Sequence, residues 1–219
     1  MLVLSRIHEK TVYERITNWY DYTIMFEGWS NMYIEEMLAY NEEFVKGKKY
    51  EPYETNSLPN KRMVIFTCME SRLVELLPRS LNIQNGDVKM VKNAGAIIRK
   101  PFDSIMKGIL VAIYELQAEE VTVIGHHDCG MSHVDTDHLT RKMLEHGIKQ
   151  ETIDTLEHSG INLYEEFHGF DTVEDSVMQS VEIIRNHPLL PEHVVVHGLV
   201  IDPGTGKVDV VTKGEPRSS

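Results

Sequence analysis

The segment MVIFTCMESR, residues 63–72, joins an apolar run to a cysteine and then to a pair of opposite charges. A second segment, VTVIGHHDCG at residues 121–130, places a histidine and a cysteine after a similar run. In both segments the apolar, β-branched residues are typical of a buried strand. The two segments hold both cysteines of the 219-residue chain, so residues with metal-binding chemistry follow two predicted strands.

Strand-like runs alternate with helical periodicity along the rest of the chain. This alternation predicts an α/β fold with a mainly parallel central sheet flanked by helices. The turn sequence DPGTG at residues 202–206 predicts a hairpin, so the C-terminal strand joins the sheet antiparallel. The predicted strands are about 63–67, 88–92, 121–124, 193–200 and 208–211, and the predicted helices include one from near Ser71 through Leu77 and one with its N-cap at Asp103 or Ser104.

Ligands of such sheets bind beyond the carboxyl ends of the strands, at the point where the strand order reverses. We predict the strand order 2-1-3-4, followed by the antiparallel C-terminal strand. This order makes the first and third strands neighbours. It therefore brings Cys68, at the end of the first strand, close to His126, at the end of the third.

Cys68, His126 and Cys129 form the donor set of a candidate zinc site. Two thiolates and one imidazole leave the fourth position of Zn²⁺ open for water, which is the arrangement of a catalytic zinc. His127 is an alternative donor, but the H-x-x-C spacing favours His126. A further polar cluster at residues 133–138 fits no common ligand spacing, so a solvated loop or a helix start is the favoured interpretation there.

Glu70 and Arg72 follow Cys68 by two and four residues. The planar guanidinium of arginine suits a carboxylate, so Arg72 is predicted to pair with Glu70 and to keep it ionised. The paired carboxylate either accepts the hydrogen bond of a metal-bound water or acts as a zinc ligand itself. The alternative for Arg72 is a plain surface ion pair.

At these residues the chain resembles the β-class carbonic anhydrases, whose pattern is C-x-D-x-R followed by H-x-x-C-G. The resemblance extends over about residues 32–212. It is carried by Cys68–Arg72 and His126–Gly130, by Lys92–Ala96, which is similar to the family's R-N-A-G segment, and by Val196–Gly206, which is similar to its last hairpin.

The resemblance implies a carbonate dehydratase, a lyase that interconverts carbon dioxide and bicarbonate by attack of zinc-bound hydroxide. By position, Cys68, His126 and Cys129 would be the zinc ligands, and Glu70 with Arg72 would be the acid–base dyad. The family also implies a homodimer or a multiple of dimers.

The same resemblance assigns Asn93, Gly95 and Gly130 to the substrate pocket. For Asn93 and Gly95, a tight turn is an equally supported interpretation. Glu70 departs from the family, which has aspartate there, and the added methylene moves an extended carboxylate about 1.5 Å further out.

Three outcomes follow from this longer side chain. Glu70 does the work of the aspartate from a shifted backbone, or it coordinates zinc and closes the open position, or it misses both Arg72 and the water. We predict reduced or pH-gated hydration, because a misplacement of about 1 Å can cost roughly a hundredfold in rate.

Two other functions stay open at this stage. With Glu70 as the fourth ligand, the chain is a zinc protein with a closed Cys2HisGlu site and a binding or regulatory role. With the open site retained, it is a hydrolase of carbonyl sulfide or carbon disulfide, since pocket shape decides among small linear substrates.

The composition narrows the list of partners. The net charge of −12 argues against nucleic acid, and no apolar run approaches the ~20 residues of a membrane helix. We expect a cytoplasmic protein whose thiols stay reduced. Residues 1–31, rich in aromatic side chains, are predicted to be an extension or arm, unless Met32 is the true start, and residues 32–219 are predicted to be one catalytic domain.

Overall fold

The computed structural model describes residues 30–215, with side chains from residue 33 onward. The described residues divide into two compact units, with the boundary between residues 54 and 55. In the first unit, helix α1 spans Ser30–Lys46, and a 3₁₀ helix follows at Glu51–Tyr53. The predicted extension over residues 1–31 lies, up to residue 29, outside the described residues and stays a prediction.

The second unit is built on a five-stranded sheet in the order β2-β1-β3-β4-β5. Neighbouring strands are parallel from β2 to β4, and β5 runs antiparallel to β4. Both the predicted order and the antiparallel last strand are confirmed. The strands are β1 (Met63–Cys68), β2 (Val88–Asn93), β3 (Glu120–His126), β4 (Val195–Ile201) and β5 (Val208–Thr212).

Helices connect the strands and cover both faces of the sheet. Asp103 is the N-cap of α3, because its side chain accepts the backbone N–H of Met106 at 2.8 Å. Among residues 30–215, no helix combines the length and the apolar content needed to cross a membrane. The helices of this unit are α2 (Leu73–Ser80), α3 (Ser104–Tyr114), α4 (Thr136–Glu145), α5 (Gln150–His158), α6 (Leu163–Phe167) and α7 (Val173–Arg185).

The core lies in two layers, because successive side chains of a strand point to opposite faces. On one face, Phe66 and Val123 pack in a cluster with residues of α3 and α7. On the other face, Ile65 and Ile124 pack with Leu73 and other residues of α2. β1 and β3 are buried on both faces, which explains why their sequences are continuous apolar runs.

The segment from residue 130 to 172 leaves the sheet after β3 and contains α4, α5 and α6. Its two ends lie against each other. Gly169 is so close to Met131 that a Cβ placed on Gly169 would overlap the Met131 carbonyl oxygen. This segment is therefore a closed excursion that begins directly after Cys129.

The register between β1 and β3 sets the position of the site. Thr67 pairs with Ile124, and the buried Thr67 hydroxyl donates to the Ile124 carbonyl at 2.8 Å. The carboxyl ends of these two strands therefore stop side by side at one edge of the sheet, as the strand order predicts.

Gly125 marks the place where α7 crosses β3. A Cβ there would lie 2.6 Å from Val173 Cγ2 and 2.7 Å from Val177 Cγ2. We expect Gly125→Ala to lower the free energy of unfolding by about 1–3 kcal/mol through overpacking, measured by urea denaturation.

Gly108→Ala is the matched control. Gly108 lies inside α3, and the nearest atom to a Cβ there is Val91 Cγ2 at 3.8 Å. Alanine is the better helix former, so this variant should gain up to about 1 kcal/mol. Equal effects of the two substitutions would contradict the packing argument.

Candidate metal centre

The strand ends bring three metal-binding side chains together. Cys68 is the last residue of β1, His126 is the last residue of β3, and Cys129 follows three residues later. Their donor atoms all lie within 4.8 Å of one another, and all three residues are buried. Within the described part of the chain, this is the only group of three or more His, Cys, Asp or Glu residues so closely spaced.

The imidazole of His126 keeps one nitrogen free for a metal. Its Nδ1 lies 2.8 Å from the carbonyl oxygen of His127. Because a carbonyl oxygen only accepts, Nδ1 carries the proton and Nε2 keeps its lone pair in the neutral ring. Nε2 is buried and has no hydrogen-bond partner among residues 33–215. A buried nitrogen without a partner costs free energy, and a bound metal ion would remove that cost. The three residues therefore fit the zinc ion that the donor set predicts.

The two thiols hold their protons unequally. The hydrogen bond from the Cys129 thiol is the main cause that lowers the pKa of Cys68 against the effect of burial, and the Gly95 and Glu70 N–H groups lower it further. The same thiol–thiol hydrogen bond, followed by burial, raises the pKa of Cys129. The lowered pKa of Cys68 favours its thiolate, which is the form of cysteine that binds metal ions.

The loop after β2 donates a backbone hydrogen bond to this cluster, from Gly95 N to Cys68 Sγ at 3.3 Å. Gly95 has a φ of 80°, and a Cβ there would lie within 2.9 Å of Ile97 and Met131 side-chain atoms. The Asn93 side chain donates to the Ile97 carbonyl at 2.7 Å and accepts from its N–H at 3.1 Å. These contacts support the turn interpretation of Asn93, and they place Gly95 against a candidate ligand.

Glu70 and Arg72 form the predicted pair. Arg72 Nε lies 3.0 Å from Glu70 Oε1, and Nη2 lies 3.1 Å from Oε2. The Arg72 backbone N–H also donates to Oε1 at 3.0 Å. The side-chain hydrogen bond from Arg72 is the main reason that the pKa of Glu70 falls to about 2. The carboxylate is engaged by Arg72, and it is not a member of the closely spaced ligand group.

Asp128 extends this pair, although no sequence motif singled it out. Arg72 Nη1 lies 3.4 Å from Asp128 Oδ2, and Nη2 lies 3.4 Å from the Asp128 carbonyl oxygen. The φ of Asp128 is 54°, a left-handed conformation that Asp adopts more readily than most residues. Its side chain is 79% exposed, so the ion pair itself contributes little stability. The main effect of these contacts is to connect the loop after β1 with the loop after β3.

The other residues considered from the sequence lie outside the group of three candidate ligands. Gly130 begins a short 3₁₀ helix, and among the described residues no atom beyond its chain neighbours lies within 4 Å of a Cβ placed there. The ring of His127 is not a member of the ligand group. Asp135 is the N-cap of α4, so the helix-start interpretation of the polar cluster at residues 133–138 is confirmed.

Known proteins are similar to this chain in sequence and in fold. A family model described as carbonic anhydrase matches residues 63–208. The chain is 51% identical over 181 residues to YtiB of Bacillus subtilis (strain 168), which is described provisionally as a carbonic anhydrase, and the match covers 83% of this chain and 97% of YtiB. The crystal structure of β-carbonic anhydrase isoform I from Trichomonas vaginalis has a TM-score of 0.76 and 33% identity, with 83% of this chain and 98% of that chain covered.

A relative of different activity also matches. The chain is 29% identical over 181 residues to a carbon disulfide hydrolase of Saccharolobus solfataricus, with 77% of this chain and 86% of that protein covered. Both named activities act on a small linear molecule with a carbon atom at its centre.

The donor set predicts one divalent ion per chain. We expect Cys68→Ser and His126→Gln each to remove most of the bound metal, because each deletes one of three buried donors. The measurement is elemental analysis of the purified protein after dialysis against zinc. His133→Ala, in the polar cluster before α4, is the control and should keep the wild-type metal content; loss of metal there instead would contradict this assignment.

Proposed function

The chain belongs to the β-class carbonic anhydrase family, and we propose that it catalyses the reversible hydration of carbon dioxide to bicarbonate with zinc as its cofactor. The observation that carries this proposal is the Cys2His group with a free, buried Nε2 on His126. In the reaction, a water oxygen adds to the carbon of carbon dioxide, and one proton is released.

Cys68, His126 and Cys129 are the proposed zinc ligands. Zinc supplies a Lewis acid that makes water nucleophilic near neutral pH. The protein supplies a buried site and the hydrogen bonds that orient its donors. His127, through its carbonyl oxygen, fixes the ring and tautomer of His126.

Glu70 and Arg72 are the proposed acid–base dyad. Arg72 holds the carboxylate with two side-chain contacts and one backbone hydrogen bond, so Glu70 stays ionised and in one orientation. On this proposal, Glu70 accepts a hydrogen bond from the attacking water and directs its lone pair at the carbon atom. The contacts with Arg72 favour this role over that of a fourth ligand in a closed site.

The proposed substrate-pocket residues contribute through space and backbone. Gly130 follows a proposed ligand and leaves open volume where a side chain would stand. Asn93 and Gly95 would line the pocket with their backbone, because the Asn93 amide is already bonded to Ile97.

We further propose a cytoplasmic homodimer or multiple of dimers, with residues 1–31 as an extension of one catalytic domain.

Glu70→Asp tests whether the longer side chain slows the reaction. We expect Glu70→Asp to hydrate carbon dioxide faster than wild type, by up to about a hundredfold, since about 1 Å of misplacement can cost that much. The measurement is stopped-flow hydration with zinc content determined on the same samples. Equal rates at equal zinc content would show that the extra methylene is irrelevant.

Glu70→Gln keeps the length of the side chain and removes its charge. This variant should lose about a hundredfold or more in kcat/KM while keeping its zinc, because the carboxylate acts on the water and does not hold the metal. A loss of zinc in Glu70→Gln would instead support the closed site with Glu70 as a ligand.

Hydrolysis of carbon disulfide or carbonyl sulfide is the second candidate function. It is favoured by the 29% identity to the carbon disulfide hydrolase, whereas the 51% identity to YtiB favours carbon dioxide. The two functions share the metal centre and differ in which linear molecule enters the pocket.

A substrate panel separates the two functions. With one zinc-loaded preparation, we expect carbon dioxide hydration to exceed the hydrolysis of carbon disulfide and of carbonyl sulfide in kcat/KM. Hydration is followed by proton release, and hydrolysis is followed by hydrogen sulfide release. Cys68→Ser is the control for metal-independent background. Faster release of hydrogen sulfide would reverse the order of the two proposals.

A further inference from the structure

The loop that contacts Cys68 has an unusual backbone. Gly95 and Ala96 follow one another with φ values of 80° and 55°. Glycine adopts this left-handed region readily, but an alanine there is disfavoured by its Cβ. Such a conformation persists only when surrounding contacts impose it.

The side chains of Asn93 and Ser180 hold the loop in this conformation. Asn93, the last residue of β2, makes two side-chain hydrogen bonds to the backbone of Ile97. Ser180, on helix α7, accepts from Ile98 N–H at 3.2 Å and donates to the Ala96 carbonyl at 3.2 Å. Ser180 is 1% exposed, so these bonds are shielded from competing water.

Ser180 is a polar residue on the buried face of α7. The buried face of α7 is otherwise mainly apolar, and Val177, Val181 and Ile184 pack in the core around it. A hydroxyl on such a face costs free energy unless it is hydrogen-bonded. Its two bonds to the loop account for its presence.

We propose that Ser180 is a positioning residue of the metal centre, which holds the loop so that Gly95 N–H donates to Cys68 Sγ. Ser180 binds the backbone of Ala96 and Ile98. In the loop held in this way, the Gly95 nitrogen lies 3.3 Å from Cys68 Sγ. This inference rests on the metal-binding part of the proposed function and is independent of the substrate.

The N–H donor matters because of the charge of the donor set. Two thiolates balance the charge of a divalent ion and reduce its strength as a Lewis acid. A hydrogen bond to a ligating sulfur draws electron density away from the metal and is a recognised way of tuning such centres. Ser180 thus acts on the electronic character of Cys68 from a helix that contributes no ligand.

The test uses cobalt(II) in place of zinc, because thiolate-to-cobalt charge transfer reports directly on the sulfur. In full-length protein, Ser180→Ala should move this absorption band to longer wavelength, since a sulfur without its donor is more easily oxidised. It should also weaken metal binding about tenfold, a typical loss for an outer-shell partner, measured by competition with a chelator.

Three further variants distinguish a positioning role of Ser180 from a general loss of structure. Ser180→Thr keeps the hydroxyl and should keep the wild-type band. Ser176→Ala removes a hydroxyl buried one turn earlier on α7 and should also keep it. Asn93→Ala removes the second support of the loop and should shift the band in the same direction as Ser180→Ala, so it carries the test if Ser180→Ala does not fold.

The outcomes are distinguishable. If the wild type binds no cobalt, the proposed function and this inference both fail. If the wild type binds cobalt but neither Ser180→Ala nor Asn93→Ala moves the band, only the positioning role is overturned. An equal shift in Ser176→Ala would also overturn it, since the effect would then belong to the helix as a whole.

Discussion

The parallel pairing of β1 with β3 is the constraint on which the centre depends. The two thiol-bearing segments are about 60 residues apart in sequence, and only the shared register of these strands makes them neighbours. The strands are held by side chains on both faces of the sheet. A shift of register by one residue would turn every side chain to the opposite face, so packing of the core and assembly of the donor set require the same alignment.

Around this alignment, backbone groups contact two members of the donor set. Cys68 receives a hydrogen bond from Gly95 N–H, and His126 is fixed by a carbonyl oxygen. Arg72 brings a fixed positive charge to the rim, where it contacts the side chain of Glu70 and both side chain and backbone of Asp128. Backbone groups held in this way need little reorganisation when charge develops close to them.

The sequence was most informative where one residue type has one physical use. Apolar runs predicted the strands, and the spacing of Cys68, His126 and Cys129 predicted the donor set, because few residues bind zinc and the sheet topology places them together. The pairing of Arg72 with Glu70 also followed from local spacing. Ser180 was not predictable in this way, since its role depends on a loop 84 residues away from it in sequence. The contact of Asp128 with Arg72 depends on a positive φ that the sequence alone does not reveal.

The closed excursion after Cys129 has a consequence for how such chains diversify. Its two ends touch at Met131 and Gly169, and the segment also contacts residues that follow β2, through the pairs Lys100–Glu166 and Arg99–His168. We expect insertions or deletions between these contacts to change the segment without moving the strands of the sheet. The surroundings of the centre can therefore vary in this segment while the strand ends that carry the donor set keep their positions.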